Sequence, residues 1–362
     1  MKIVHVFKDF YPPLAAGITC YIADVSEAMA RRGHQVEVHV AGVKRSRRDR
    51  LPSGVVVHRH REVTRALSMP LAPGLVREVR SVYAHVIHVH LPNPIAELGV
   101  VLNRTTPIVC TFHAQLGRQQ IFEPVYAPLR EALLTRAASI LVSGEKMASA
   151  PELRHHRDKV TVLPYGVSPR LTCPQPGRSR SADDALRLLF VGRLVYYKGV
   201  DILLRALTQV PDVHLRIVGD GANRFELERL ASELLLEQRV TFTGLLDDAH
   251  LLREYQGADV FVLPSVSRAE AFGLAMVEAM ANGLPAISTS LGTGTDWVNL
   301  DGVSGLVVAP GDASALAQAI ERLRDPSLRQ TLSVAAQERV KSNFSFAAHA
   351  DALEHAYLQA AS

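Results

Sequence analysis

Asp259-Val-Phe-Val-Leu-Pro-Ser-Val-Ser-Arg-Ala-Glu-Ala-Phe-Gly-Leu-Ala-Met-Val-Glu278 reads as an apolar strand, a short polar loop and the opening of a helix. Within one helix Glu270 and Glu278 would stand about 12 Å apart on different faces, which is awkward for joint work. Gly273 suggests another arrangement. A helix beginning near Gly273 leaves Glu270 in the loop and puts Glu278 roughly two turns in. The backbone N–H groups of Phe272, Gly273 and Leu274 are then helix-start donors, an anion site between two acceptors suited to hydroxyls. Hydroxyls on both sides of a phosphate describe a nucleotide sugar. A plain helix start with a surface glutamate on each side accounts for the same residues, so the rest of the chain decides.

Outward from this stretch, short apolar runs alternate with amphipathic segments, the pattern of an open parallel α/β sheet. The first half offers strands at Ile3–Phe7, Gln35–Val40, Val55–His58, Val86–Val89, Ile108–Phe112, Ile140–Val142 and Val160–Leu163. Its clearest helices are Ile18–Arg32 and Val125–Ala137. The second half restarts with Arg187–Val191, His214–Val218, Val240–Phe242, Val260–Leu263, Ala286–Ser288 and Leu306–Val308. The fold class expected is two Rossmann-like α/β/α domains facing across a cleft. The first domain is 1–168, a Pro/Gly/Ser-rich linker is 169–184, and the second domain is 185–344. Residues 345–362 form a C-terminal helix able to cross back to the first domain.

A chain of 362 residues, 48% hydrophobic and 21% charged, suits two globular domains. A net charge of +4 makes no case for nucleic acid. Basic residues crowd Lys44–Arg50, which could attract anionic lipid at the inner face of a membrane, or be a solvated loop. Three scattered cysteines fit a reducing cytoplasm, and no run approaches membrane-spanning length.

In parallel sheets ligands bind beyond the carboxyl ends of the strands, and the residues there share a chemistry. Arg193 and Lys198, beside Gly192 and Gly199, could neutralise a diphosphate without a metal, although two ordinary surface cations would look the same. Gly17, after Ala16, lets a backbone approach phosphate or only permits a turn. Gly219-Asp-Gly-Ala-Asn-Arg224 lacks the third glycine of a dinucleotide fingerprint, which argues against a nicotinamide cofactor and leaves a tight turn at Gly219. His113 ends a strand, and its position alone sets it above the other histidines. No phosphate-binding P-loop, zinc-hydrolase or serine-elbow motif is present, so neither cofactor nor metal is expected.

Together these residues resemble retaining glycosyltransferases of the GT-B architecture, family four, whose E-x7-E element is similar to Glu270–Glu278. The resemblance takes in Phe10-Tyr-Pro-Pro with Gly17, Thr111-Phe-His113, Leu163-Pro-Tyr-Gly-Val167, Gly192-Arg193 with Lys198-Gly199, Val218-Gly-Asp-Gly221 and Asp301-Gly-Val-Ser-Gly-Leu306. It implies that Arg193 and Lys198 hold the donor diphosphate, Glu278 the ribose and Glu270 the donor sugar. It further implies backbone contacts from Phe272, Gly273 and Leu274, approach of Gly17 to the phosphates, a donor-binding place for Gly219, and contact of His113 with the transferred sugar, so that His113, Arg193, Lys198 and Glu270 are the catalytic candidates. Many members carry two glycines where this chain has Ala16-Gly17. The implied reaction is front-face transfer with retained configuration, from GDP-mannose first or a UDP-hexose second, to a glycan, lipid-linked or small-molecule acceptor. Gln115, Arg118 and Gln119 are the acceptor-side candidates. An epimerase or phosphorylase of related fold, or a non-catalytic sugar-nucleotide-binding partner, are the alternatives.

Overall fold

The computed structural model describes residues 1–11, 17–66, 69–113, 123–173 and 185–362. They form two units, Met1–Tyr165 with Ala347–Ser362, and Gly166–Phe346. The division falls at Tyr165 because Val167 N–H donates to the Phe344 carbonyl (2.9 Å), tying the following segment to the second unit.

In the first unit eight strands run in the order β10-β9-β8-β7-β1-β2-β4-β3. They are β1 (Lys2–Val6), β2 (Gln35–Val43), β3 (Arg47–Arg50), β4 (Val56–Arg61), β7 (Val86–Leu91), β8 (Ile108–Phe112), β9 (Ser139–Val142) and β10 (Val160–Val162). A separate hairpin joins β5 (Thr64–Ala66) to β6 (Met69–Leu71). Every pairing in the large sheet is parallel except the edge pair of β3 with β4. The helices are α1 (Gly17–Arg31), α2 (Pro73–Ser81), α3 (Pro94–Leu102), α4 (Glu123–Arg136) and the short α5 (Glu145–Ala148). The C-terminal helix, α13 (Phe346–Ala361), completes the unit.

The strand β3 corrects the reading of Lys44–Arg50 as a loop. Its charged sequence has no apolar face, yet it pairs at a sheet edge, where charge discourages further strand addition. Asp49 accepts from Arg47 (3.2 Å) and Arg59 (2.9 Å), so part of the basic charge is met within the sheet.

Histidines alternate with apolar residues in the central strands, and the register sorts them onto two faces. His5 lies beside His88, and His90 beside Thr111. His39 lies beside His58 and one position on from Val38, the residue that flanks His5, so it points to the opposite side.

The second unit has the order β13-β12-β11-β14-β15-β16, all parallel. Its strands are β11 (Leu186–Val191), β12 (Val213–Val218), β13 (Val240–Gly244), β14 (Val260–Leu263), β15 (Ala286–Thr289) and β16 (Gly305–Val308). Its helices are α6 (Val200–Leu207), α7 (Arg224–Glu233), α8 (Asp248–Gly257), α9 (Leu274–Ala281), α10 (Thr295–Val298), α11 (Ala313–Arg322) and α12 (Pro326–Asn343). All four residues of β14 are buried, as a strand covered on both faces requires. In α6, Val200, Leu203, Leu204 and Leu207 bury one face while Arg205 is exposed, each leucine contributing roughly 2 kcal/mol on burial.

In sequence order the second sheet runs 3-2-1-4-5-6, so connections leave β11 and β14 in opposite directions. The crevice beyond the carboxyl ends of those two neighbours is where such a sheet binds ligands.

Candidate active site

Both halves of the crevice carry chemistry. From β11 the chain passes through Gly192, Arg193 and a turn at Tyr196–Lys198 before α6. From β14 it passes through Pro264, Ser265 and Glu270 before α9. Lys198 Nζ donates to Glu270 Oε2 at 2.5 Å, and Ser265 Oγ donates to the same oxygen at 2.9 Å. Glu270 is 7% exposed, so its charge is held by these groups rather than by water. Its carbonyl accepts from Thr293 Oγ1 (2.7 Å), which fixes the loop to the segment after β15.

Two glycines allow the loops to close together. A Cβ on Gly199 (φ +64°) would lie 2.0 Å from the Pro264 carbonyl oxygen. One on Gly219 (φ +130°) would lie 2.0 Å from the Gly192 carbonyl oxygen. No side chain fits either approach, and both backbones are left-handed in φ. Val266 N–H to Tyr197 O (2.8 Å) and Leu194 N–H to Asp220 O (3.0 Å) complete the seam.

Arg193 is exposed, with a 3.5 Å contact to the Tyr197 hydroxyl, while the Lys198 ammonium lies 5.7 Å from the Tyr197 ring centre. The helix α9 starts at Leu274, with Gly273 left-handed at its cap. Glu278 is therefore little more than one turn in, not two. Its Oε2 accepts from the hydroxyl of the fully buried Tyr255 (2.7 Å), and the side chain is half-buried. Phe272 is buried against Phe344 and Trp297, so its ring anchors the loop.

Sequence reasoning missed Ser265, Thr293 and Tyr255. The first follows a strand directly and could have been found by that position. The other two are brought in by tertiary packing, and their local sequence carries no signal.

In the first unit Gly17 is the exposed first residue of α1, while Ala16 lies outside the described residues. Gln115, Arg118 and Gln119 also lie outside them. His113 follows β8 but is 3% exposed, with both ring nitrogens engaged: Nδ1 with Tyr165 Oη (2.5 Å) and Nε2 with His90 Nδ1 (3.0 Å). The chain of rings continues from His90 Nε2 to His5 Nδ1 (3.2 Å). Burial, with Lys8 adding a smaller effect, lowers His113 to about 3, and burial lowers His5 to about 3. Burial, then neighbouring rings, holds His90 well below its usual value. These imidazoles are neutral near pH 7.

No helix among the described residues is long and apolar enough to cross a membrane.

The model of the glycosyltransferase family 4 domain matches residues 15–171, and that of the group 1 glycosyl transferases matches residues 175–339. The chain is 31% identical over 337 residues to the O-antigen chain mannosyltransferase C of Escherichia coli, covering 89% of this chain and 88% of that one. It is 31% identical over 356 residues to the D-rhamnosyltransferase WbpZ of Pseudomonas aeruginosa, covering 95% and 92%. Among solved structures, sucrose-phosphate synthase from Thermosynechococcus elongatus superimposes with a TM-score of 0.84 at 26% identity, covering 99% and 98%. HepE of Anabaena, in complex with UDP-glucose, gives 0.79 at 20% identity, covering 98% of each chain, a likeness of fold. With both domain models matched in order along a doubly Rossmann-like chain, the protein belongs to the GT-B glycosyltransferases of the group 1 and family 4 type.

Proposed function

We propose that this glycosyltransferase moves a hexose from a nucleoside-diphosphate sugar, GDP-mannose before a UDP-hexose, to a glycan or lipid-linked acceptor in bacterial polysaccharide assembly. The observation that carries this reading is the meeting of Lys198 and Glu270 at the β11–β14 reversal, with Arg193 exposed beside them and Glu278 on the adjoining helix. Arg193 and Lys198 take the diphosphate, Glu278 the ribose, and Glu270 the sugar hydroxyls. The helix-start N–H groups at Gly273 and Leu274 add donors for the same anion. His113 meets the transferred sugar by exchanging one of its protein hydrogen bonds.

Configuration is retained by front-face departure of the diphosphate, whose oxygen takes the acceptor proton as the new glycosidic bond forms. The two cations offset the charge that grows on the leaving group, so this step uses no metal or cofactor. The mannosyl and rhamnosyl relatives support the choice of sugar. Gly17 serves the phosphates, and Gln115, Arg118 and Gln119 the acceptor. The enzyme works in the cytoplasm, with Lys44–Arg50 resting on the membrane's inner face.

A panel of nucleoside-diphosphate hexoses, scored for transfer with the product anomer read by NMR, tests the proposal. A β-linked product from an α-donor, or transfer abolished by a chelator that leaves the melting temperature unchanged, would overturn the mechanism.

A further inference from the structure

On the α2 side of the first sheet, Glu37 and His39 project from β2 and His58 and His60 from β4. The nitrogens His39 Nε2 and His58 Nε2 are buried and have no hydrogen-bond partner. Both face one carboxylate oxygen, Glu37 Oε2, at 3.7 and 3.6 Å. These three atoms lie within 4.8 Å of one another. Their nitrogen–oxygen separations approach the edge of a tetrahedron around zinc, about 3.3 Å for metal–ligand lengths near 2.0–2.1 Å.

We propose that Glu37, His39 and His58 bind one divalent transition-metal ion of the zinc class, at a structural site within the sheet. The donor set is two imidazoles and one carboxylate, which suits such an ion, and water supplies the remaining position beside the 23%-exposed His58 side chain. Outer groups orient two of the ligands. Lys2 Nζ holds the other carboxylate oxygen, Oε1, at 3.1 Å, leaving Oε2 for the metal. His39 Nδ1 pairs with His60 Nε2 at 3.2 Å. With the proton of that bond on Nδ1, the Nε2 lone pair is aimed at Oε2, and a cation placed between the two makes that contact favourable. The rings of His39 and His58 now stack 4.4 Å apart and 4° from parallel, so capture turns them toward each other about their Cβ–Cγ bonds.

The trio His5, His88 and His90 makes a poorer site. It has no carboxylate, and His88 has both nitrogens engaged, with Tyr357 Oη (2.7 Å) and Thr111 Oγ1 (2.6 Å).

The test is titration of the chelator-treated full chain with Zn2+ by calorimetry and with Co2+ by visible absorption, comparing wild type with His58→Asn and Glu37→Gln. His58 is partly exposed and its replacement spares the fold, which circular dichroism verifies; Glu37→Gln keeps the shape and removes the charge. The expected result is one equivalent of saturable uptake, imidazole-type cobalt bands, a melting temperature that rises with free Zn2+, and uptake weakened at least tenfold in both variants. Absence of saturable uptake by wild type, or equal uptake by wild type and both folded variants, overturns the proposal.

Discussion

Lys198 and Glu270, 72 residues apart in the chain, meet at 2.5 Å where β11 and β14 run side by side. One bond thus joins the two loops that leave the sheet in opposite directions. Removing the lysine alone leaves a buried carboxylate supported by Ser265, a loss of about 3 kcal/mol for a pair as secluded as this one. Lys198→Met is therefore expected to lose both stability and turnover. Lys198→Met with Glu270→Gln should recover most of the stability and none of the turnover. Denaturant melts and steady-state rates on the four members of the cycle separate the two losses. A double variant whose loss equals the sum of the two single losses would show that the pair is not coupled.

Arg193 carries no comparable structural burden, since it is exposed. Arg193→Ala should leave the melting temperature within about a degree of wild type, as surface changes do. Turnover should fall by about 100-fold or more, the cost of losing one preorganised charge partner. Near-normal turnover would remove it from the diphosphate site.

Gly199 and Gly33 are both left-handed, at φ +64° and +87°, yet differ in surroundings. A methyl at Gly33 meets nothing within 4 Å, and Gly33→Ala should cost about 1 kcal/mol with activity intact. At Gly199 the methyl would sit on the Pro264 carbonyl, so Gly199→Ala should part the two loops and abolish transfer. A donor-binding titration of the folded Gly199→Ala protein reads this directly: retained affinity would mean that the close approach is unimportant.

His5, His90 and His113 are neutral in the fold and become charged when unfolded, because burial lowers all three. The stability this brings is fully present above the unfolded value of about 6.5 and is lost as pH falls below it toward 3. Melting temperatures taken between pH 7 and 5 should fall steeply. His90→Asn should flatten that slope, and an unchanged slope would mean that the rings do not titrate as a buried set.

Glu97 works in the opposite sense. Burial raises its carboxyl to about 7, while its Oε1 accepts from Asn93 N–H (2.6 Å) and Tyr126 Oη (2.8 Å). A group raised in the fold stabilises most below its unfolded value, and that contribution is lost as pH rises through the folded one. Glu97→Gln can keep both accepted bonds and cannot ionise. The variant's melting temperature should gain on wild type as pH rises from 5 to 8, and a constant difference would overturn the assignment.

Much of the architecture was legible because parallel strands buried on both faces are written as short apolar runs, of which Val260–Leu263 is the plainest. The strand Arg47–Arg50 was hidden because an edge strand needs no apolar face. At the site, Gly199, Lys198 and Glu270 stood out by their place after strands. Their direct bond did not, since it depends on β11 and β14 becoming neighbours, a property of sheet order. The histidines on β1, β2, β4 and β7 looked incidental one by one. Only the register showed that they collect on two faces.

The return of α13 to the first unit sets an order of events during synthesis. Tyr357 supplies the hydroxyl against His88, His349 the ring against Tyr21, and Asp351 and Glu354 the carboxylates against Arg32. All four come from the last helix of the chain as given, made after the whole second unit. The first unit is therefore discontinuous in the chain, its last helix separated from its sheet by the whole second unit. Its sheet gains that helix only once residues 347–361 have been made.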